Sequence, residues 1–152
     1  MTIEFNLENT LGYLINRCAI LLKSELTLRF NQAGYDVTPE EWVILNRLWE
    51  QDGLSQNELA ERTIKDKTTI TRFLHQMESK GLITRKSSKE DGRFKKVQLT
   101  VSGQKLKSSL IPIAQGMLAE TAADISKDEV QTVLGLLKKI ENNLLNLESS
   151  NR

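Results

Sequence analysis

Six side chains with hydroxyl or cationic heads lie between Lys65 and Arg72: Lys65, Lys67, Thr68, Thr69, Thr71 and Arg72. From Asp66 to Lys80 the apolar residues Ile70, Phe73, Leu74 and Met77 fall at i, i+3, i+4 and i+7, one buried stripe at the helical period. With about 100° between successive residues, the face opposite carries Thr68, Arg72, His75 and Ser79, flanked by Thr71 and, near the first turn, Lys67. Such a face can donate to base edges and phosphates and meet thymine methyl groups. Thr68, Thr71 and Arg72, with Thr69 beside them, are the candidates for base contact, and Lys65 and Lys67 for phosphates. An ordinary solvated helix face would show the same residue types, so the flanking elements decide.

Those elements point the same way. Ser55-Gln56-Asn57-Glu58 is an S-x-x-E capping box, predicting a helix from Ser55 to about Arg62 whose amino-terminal amides, at Ser55 and Gln56, suit a phosphate. The polar corner Thr63-Ile64-Lys65-Asp66 follows, Asp66 caps the next helix, and Gly81 stops it. Gly81–Lys86 and Phe94–Leu99 then read as two strands joined by a loop with Asp91-Gly92 as its turn signal. Val97 and Leu99 alternate with Lys96 and Gln98, giving the ribbon an apolar and a cationic face. Lys86, Lys89, Arg93 and Lys95 make the loop and its base cationic, and an arginine at such a tip suits the narrow, electronegative minor groove. Two helices and a projecting basic ribbon are the outline of a winged helix-turn-helix.

Gly81-Leu82-Ile83-Thr84-Arg85, Asp91-Gly92-Arg93 and Val97-Gln98-Leu99-Thr100-Val101-Ser102-Gly103 resemble the wing signature of the MarR family of regulators. The D-x-R at the wing and the L-T-x-x-G opening the next helix are its specific parts, and Asp66–Arg72 is similar to the family's recognition helix. The likeness extends over about 7–147. It implies a homodimeric transcriptional regulator, a repressor released by a small-molecule effector, bound to a pseudo-palindromic operator in double-stranded DNA. Asp91 then has a structural part in the wing. A small aromatic or phenolic effector would sit between the dimer helices and the DNA-binding lobe, with Tyr13, Arg17, Trp42 and Trp49 as lining candidates; otherwise these aromatics, with Tyr35, are core.

Composition narrows the field further. Of the 21 Lys and Arg residues, 13 fall between Arg62 and Lys107 against four acids, giving +9 there and −8 elsewhere, although the whole chain is +1. Such segregation fits a polyanion-binding patch on an acidic body. A winged helix used for protein contact would show apolar or mixed surface instead, and that is the alternative to DNA binding at the level of the fold. No nucleophile has a nearby base, no glycine-rich phosphate loop appears, and no paired carboxylates frame a pocket, so no enzyme activity, cofactor or metal is expected. His75, the only histidine, has no ligand cluster around it. Cys18 is the single cysteine. A thiol-based redox sensor is the other alternative, but Leu14, Ile15, Leu21 and Leu22 at helical spacing predict a buried structural cysteine rather than an electropositive, reactive one. No run approaches a membrane span and the first nine residues carry Glu4 and Glu8 rather than a basic leader, so a cytoplasmic protein, nucleoid-associated when bound to DNA, is expected.

The fold class that follows is mainly α with a small antiparallel sheet (α+β). The DNA-binding lobe is 35–103, the dimerisation region combines 1–34 with 104–147, and 148–152 is a frayed tail. A first helix is expected over about Leu7–Asn31, ended by Gly34, with apolar residues in excess of one stripe. Thr38-Pro39-Glu40-Glu41 opens a second, and Leu54 adds a short strand. Thr100 starts a helix to about Asp124, with a kink near Pro112. Ser126-Lys127-Asp128-Glu129 caps a last helix, apolar on more than one side, which with the first makes a two-fold interface.

Overall fold

The computed structural model describes residues 4–87 and 95–151, except for the Lys95 side chain. A 3₁₀ turn at Leu7–Asn9 precedes α1 (Leu11–Gln32), followed by α2 (Pro39–Glu50), β1 (Leu54–Ser55), α3 (Gln56–Thr63), α4 (Lys67–Ser79), β2 (Ile83–Ser87), β3 (Lys95–Leu99), α5 (Val101–Thr121) and α6 (Lys127–Ser150). The chain divides into two compact units, Met1–Ala114 and Gln115–Arg152.

Local signals place most helix starts. Thr38, Ser55 and Ser126 each form the complete reciprocal capping box, their side chains accepting from Glu41, Glu58 and Glu129 N–H while those carboxylates accept from the cap residue's own N–H. Asp66 caps α4 by accepting from Thr69 N–H. Gly34 and Gly81 take φ of +87° and +72°, the left-handed conformation that ends a helix at little cost for glycine. Three boundaries differ from expectation. The first helix begins after Thr10, whose side chain accepts from Tyr13 N–H, so Leu7 belongs to the preceding turn. The helix after the wing ends at Thr121, and Asp124 adopts φ +64° in the turn beyond. The last helix runs to Ser150, taking in residues expected to fray from Glu148. Pro112 lies inside α5, which continues past it.

In the first unit, three antiparallel strands lie in the order β1-β3-β2, with Leu54 opposite Val97 and Ile83 opposite Leu99. Leu45 and Leu48 of α2, Leu59 of α3, Ile70, Leu74 and Met77 of α4, Ile83, Val97 and Leu110 form a fully buried core. Each such side chain contributes about 1.5–3 kcal/mol on burial, so packing settles how α4 sits on α2 and α3. Phe73, expected in the same stripe, is half-buried at its margin. Trp49 Nε1–H donates to the Gly103 carbonyl at 3.0 Å, tying α2 to the first turn of α5. Gly103 cannot be any other residue without movement, because a Cβ there would run into the Leu82 carbonyl oxygen.

Much of α1 is exposed, with Leu11, Leu14, Ile20, Leu21 and Leu28 each at least 46% accessible. Cys18 is exposed on the same stretch, which corrects the expectation of a buried thiol. The apolar spacing around it is real, but among the described residues nothing covers it. In the second unit α6 likewise exposes Val133, Leu134, Leu136, Leu137, Leu144, Leu145 and Leu147. Among the described residues, no helix is long and apolar enough to cross a membrane.

Candidate nucleic-acid interface

Burying Ile70, Leu74 and Met77 turns the other face of α4 outward, and Lys67, Thr68, Thr71, Arg72, His75 and Gln76 are all exposed along it. They line an open groove of about 760 Å³ that is completed by Arg85 from β2. Lysine and arginine heads, two threonines and the single histidine thus meet on one surface. The Lys67 and Thr68 side chains make no hydrogen bond to another described residue, leaving their donors available. Arg72 lies over the Phe73 ring with its guanidinium carbon 5.1 Å from the centroid, and Lys65 Nζ approaches the same ring at 5.7 Å. The half-buried phenyl therefore steadies both cations, of which Arg72 lines the groove.

Thr69 has a different task from its neighbours. Its N–H and hydroxyl donate to the two Asp66 carboxylate oxygens, both at 2.8 Å, so it closes the cap of α4. The Thr69 N–H holds the Asp66 carboxyl below the usual carboxylate range. Thr71 is also fixed: its hydroxyl donates to the Lys67 carbonyl at 2.8 Å and accepts from Gln56 Nε2 at 3.3 Å. Gln56 thereby links the first turn of α3 to the exposed face of α4. Ser55 is engaged in its capping box, and its N–H lowers the Glu58 carboxyl pKa.

The corner between the two helices turns through Ile64, which takes φ +53° as the C-cap of α3 while remaining 65% exposed. A β-branched residue rarely adopts that conformation. The strain is held by Lys65 N–H donating to the Ala60 carbonyl at 3.0 Å, and the corner places Lys65 against Phe73.

Lys80 and Arg85, both of the cationic segment, are already paired with carboxylates of the protein. Lys80 donates to the carboxylate of Glu41, a fully buried residue, at 2.9 Å and to the Asp36 carbonyl at 3.1 Å. Arg85 makes a forked pair with Glu78, Nε to Oε2 at 3.3 Å and Nη2 to Oε1 at 3.1 Å, which holds the Glu78 carboxyl below its usual range. Neither pairing was visible in the sequence, since each partner is brought up by tertiary packing.

Lys86 is exposed and opposite Lys96 in the ribbon, so the base of the wing is cationic. Lys89, Asp91 and Arg93, with the Lys95 side chain, lie outside the described residues. Of the four residues considered for an effector, Tyr13 accepts from Arg17 Nη1 at 3.5 Å on α1, while Trp42 and Trp49 stack edge to face with centroids 5.7 Å apart on α2. Trp42 also packs on Phe30, and the helical rise separates Phe30 from Arg17 by about 20 Å. Within one chain these residues form two groups rather than one cavity wall.

The family model described as MarR family matches residues 37–95, from the end of the α1–α2 connection to the start of β3. The uncharacterized HTH-type transcriptional regulator YdgJ of Bacillus subtilis (strain 168) is 31% identical over 118 residues, spanning 78% of this chain and 72% of its own. The transcriptional regulator HosA of Escherichia coli O127:H6 is 28% identical over 116 residues, 76% of this chain and 86% of its own. Among solved structures, the Staphylococcus aureus MepR–DNA complex is similar with a TM-score of 0.80 and 29% identity, covering 88% of this chain and 98% of that one.

Proposed function

Because this chain belongs to the MarR family of winged-helix, DNA-binding transcriptional regulators and not to a class of enzymes, we propose that it acts as a homodimeric repressor that occludes a promoter. The observation that carries this reading is the groove on α4, where the exposed Lys67, Thr68 and Arg72 converge over a fully buried opposite face. Each subunit lays α4 in the major groove, with Thr68, Thr71 and Arg72 toward base edges and Lys65 and Lys67 toward phosphates. Thr69 supports them by closing the cap. Ser55 and Gln56 bring the amino-terminal amides of α3 to the backbone. Lys86, and beyond the described residues Lys89, Arg93 and Lys95, enter the flanking minor groove, with Asp91 holding the loop. The MepR relative was solved bound to DNA, which supports this mode.

The exposed apolar faces of α1 and α6 supply the two-fold interface, with 1–34 and 104–147 forming the dimerisation region around the 35–103 lobe. A small aromatic or phenolic effector releases the repressor by changing the separation of the two lobes and hence their fit to the operator. Tyr13 and Arg17 on one side, Trp42 and Trp49 on the other, are the residues such a ligand meets if the second subunit brings the two groups together. Selection of bound fragments from random DNA tests the reading. The recovered sites should be pseudo-palindromes with half-sites about 10 base pairs apart, the spacing of a two-fold pair of recognition helices; fragments with no shared motif would refute it.

A further inference from the structure

Glu78 lies in the last turn of α4, and Arg85 lies in the middle of β2 opposite Val97 of β3. Three donors of Arg85 meet this one carboxylate: its backbone N–H at 3.2 Å, Nε–H at 3.3 Å and Nη2–H at 3.1 Å. The Arg85 side chain is 12% exposed and Glu78 39%. A forked guanidinium–carboxylate pair fixes orientation as well as distance, which a lysine ammonium does not. The contact joins the end of α4 to the strand that leads, two residues later at Ser87, out of the described ribbon. The other flank of Arg85 faces the groove beside Arg72 and His75. A phosphate in that groove would meet a guanidinium already held by Glu78.

We propose that Glu78 is a positioning residue for the wing: through Arg85 it fixes the angle between α4 and the basic ribbon, so that one subunit engages a major groove and the adjoining minor groove together. This rests on the DNA-binding mode proposed above. Glu78 is 39% exposed and a glutamine there keeps an acceptor oxygen for Arg85, so Glu78→Gln breaks the fork at little cost to folding, and its effect appears in how DNA is held rather than in whether the lobe folds. Arg85 is a positioning residue by the same reasoning, although it carries the charge expected of a phosphate contact.

The test is hydroxyl-radical footprinting and titration of the intact protein on a selected operator, with Glu78→Gln, Arg85→Lys and the unaltered chain side by side. Glu78→Gln should lose protection at the minor-groove flanks, keep the central protection given by α4, and bind about tenfold more weakly, the scale of one lost contact, with an unchanged melting temperature. Arg85→Lys should show the same selective loss despite keeping its charge. Flank protection retained in Glu78→Gln would overturn the inference alone. Absence of flank protection in the unaltered chain would overturn the wing reading and this inference with it. An Arg85→Lys protein that binds as the unaltered chain does, or a uniform weakening with a falling melting temperature, would reduce the pair to a phosphate contact or a fold contact and refute the positioning role.

Discussion

Replacing Lys80 by methionine removes the cation that faces a fully buried carboxylate. Glu41 Oε2 would keep only the Thr38 N–H at 3.0 Å, and Glu41 Oε1 is already buried without a partner. Removing one member of a buried ion pair strands the other, a loss of about 3–5 kcal/mol. Lys80 is 27% exposed, so water already reaches its end of the pair, and the lower limit of about 3 kcal/mol applies. The accompanying Asp36 contact at 3.4 Å involves a carboxylate 87% exposed, and such a surface pair adds less than about 1 kcal/mol. Glu41→Gln keeps an acceptor for Thr38 and carries no charge, so alone it should cost about 1 kcal/mol, the size of a weakened hydrogen bond. Placed on Lys80→Met it should recover about 2 kcal/mol, because no ion is then stranded. Urea unfolding of the four proteins at one fixed protomer concentration measures this coupling. A loss below about 1 kcal/mol for Lys80→Met, or strictly additive single changes, would show that Glu41 reaches water and that the α2–α4 tie does not depend on the pair.

Arg72→Ala should weaken binding to a selected operator more than binding to random DNA, narrowing the ratio by about tenfold or more, the scale of one lost base contact; competition titrations with the two DNAs check this, and equal losses would make Arg72 a backbone contact. Gly103→Ala should destabilise the lobe by several kcal/mol, on the order of 3, because its Cβ meets the Leu82 carbonyl where α5 and β2 approach; thermal unfolding that leaves the melting temperature unchanged would show that the approach can relax.

What the sequence made legible was local. Thr38, Ser55, Asp66 and Ser126 announce helix starts because a cap acts within three residues, and Gly34 and Gly81 announce helix ends through a backbone conformation glycine adopts freely. The outward face of α4 followed from the period of Ile70, Leu74 and Met77. Thr10 carries the same kind of signal, but Leu7 extends the apolar stripe past it, so the helical period alone does not mark the start. Ile64 could not be foreseen as a left-handed corner, since its intrinsic preference opposes one and only the surrounding fold imposes it. In the sequence Lys80 and Arg85 are two more cations of the basic segment, yet their partners sit 39 and seven residues away and are met only after the helices pack. Cys18 failed for a related reason: periodic apolar neighbours state what wants covering, not what covers it.

If the cations grouped on α4 and the ribbon hold the phosphates of duplex DNA in two copies, binding releases counterions and weakens with salt. Equilibrium binding to a selected operator over a series of salt concentrations tests it most directly. Lys65 and Lys67 in each subunit, four phosphate contacts per dimer, predict a plot of log K against log salt concentration that falls linearly with a slope of about −4 or steeper. A slope near zero, or saturation at one chain per operator, would contradict the account.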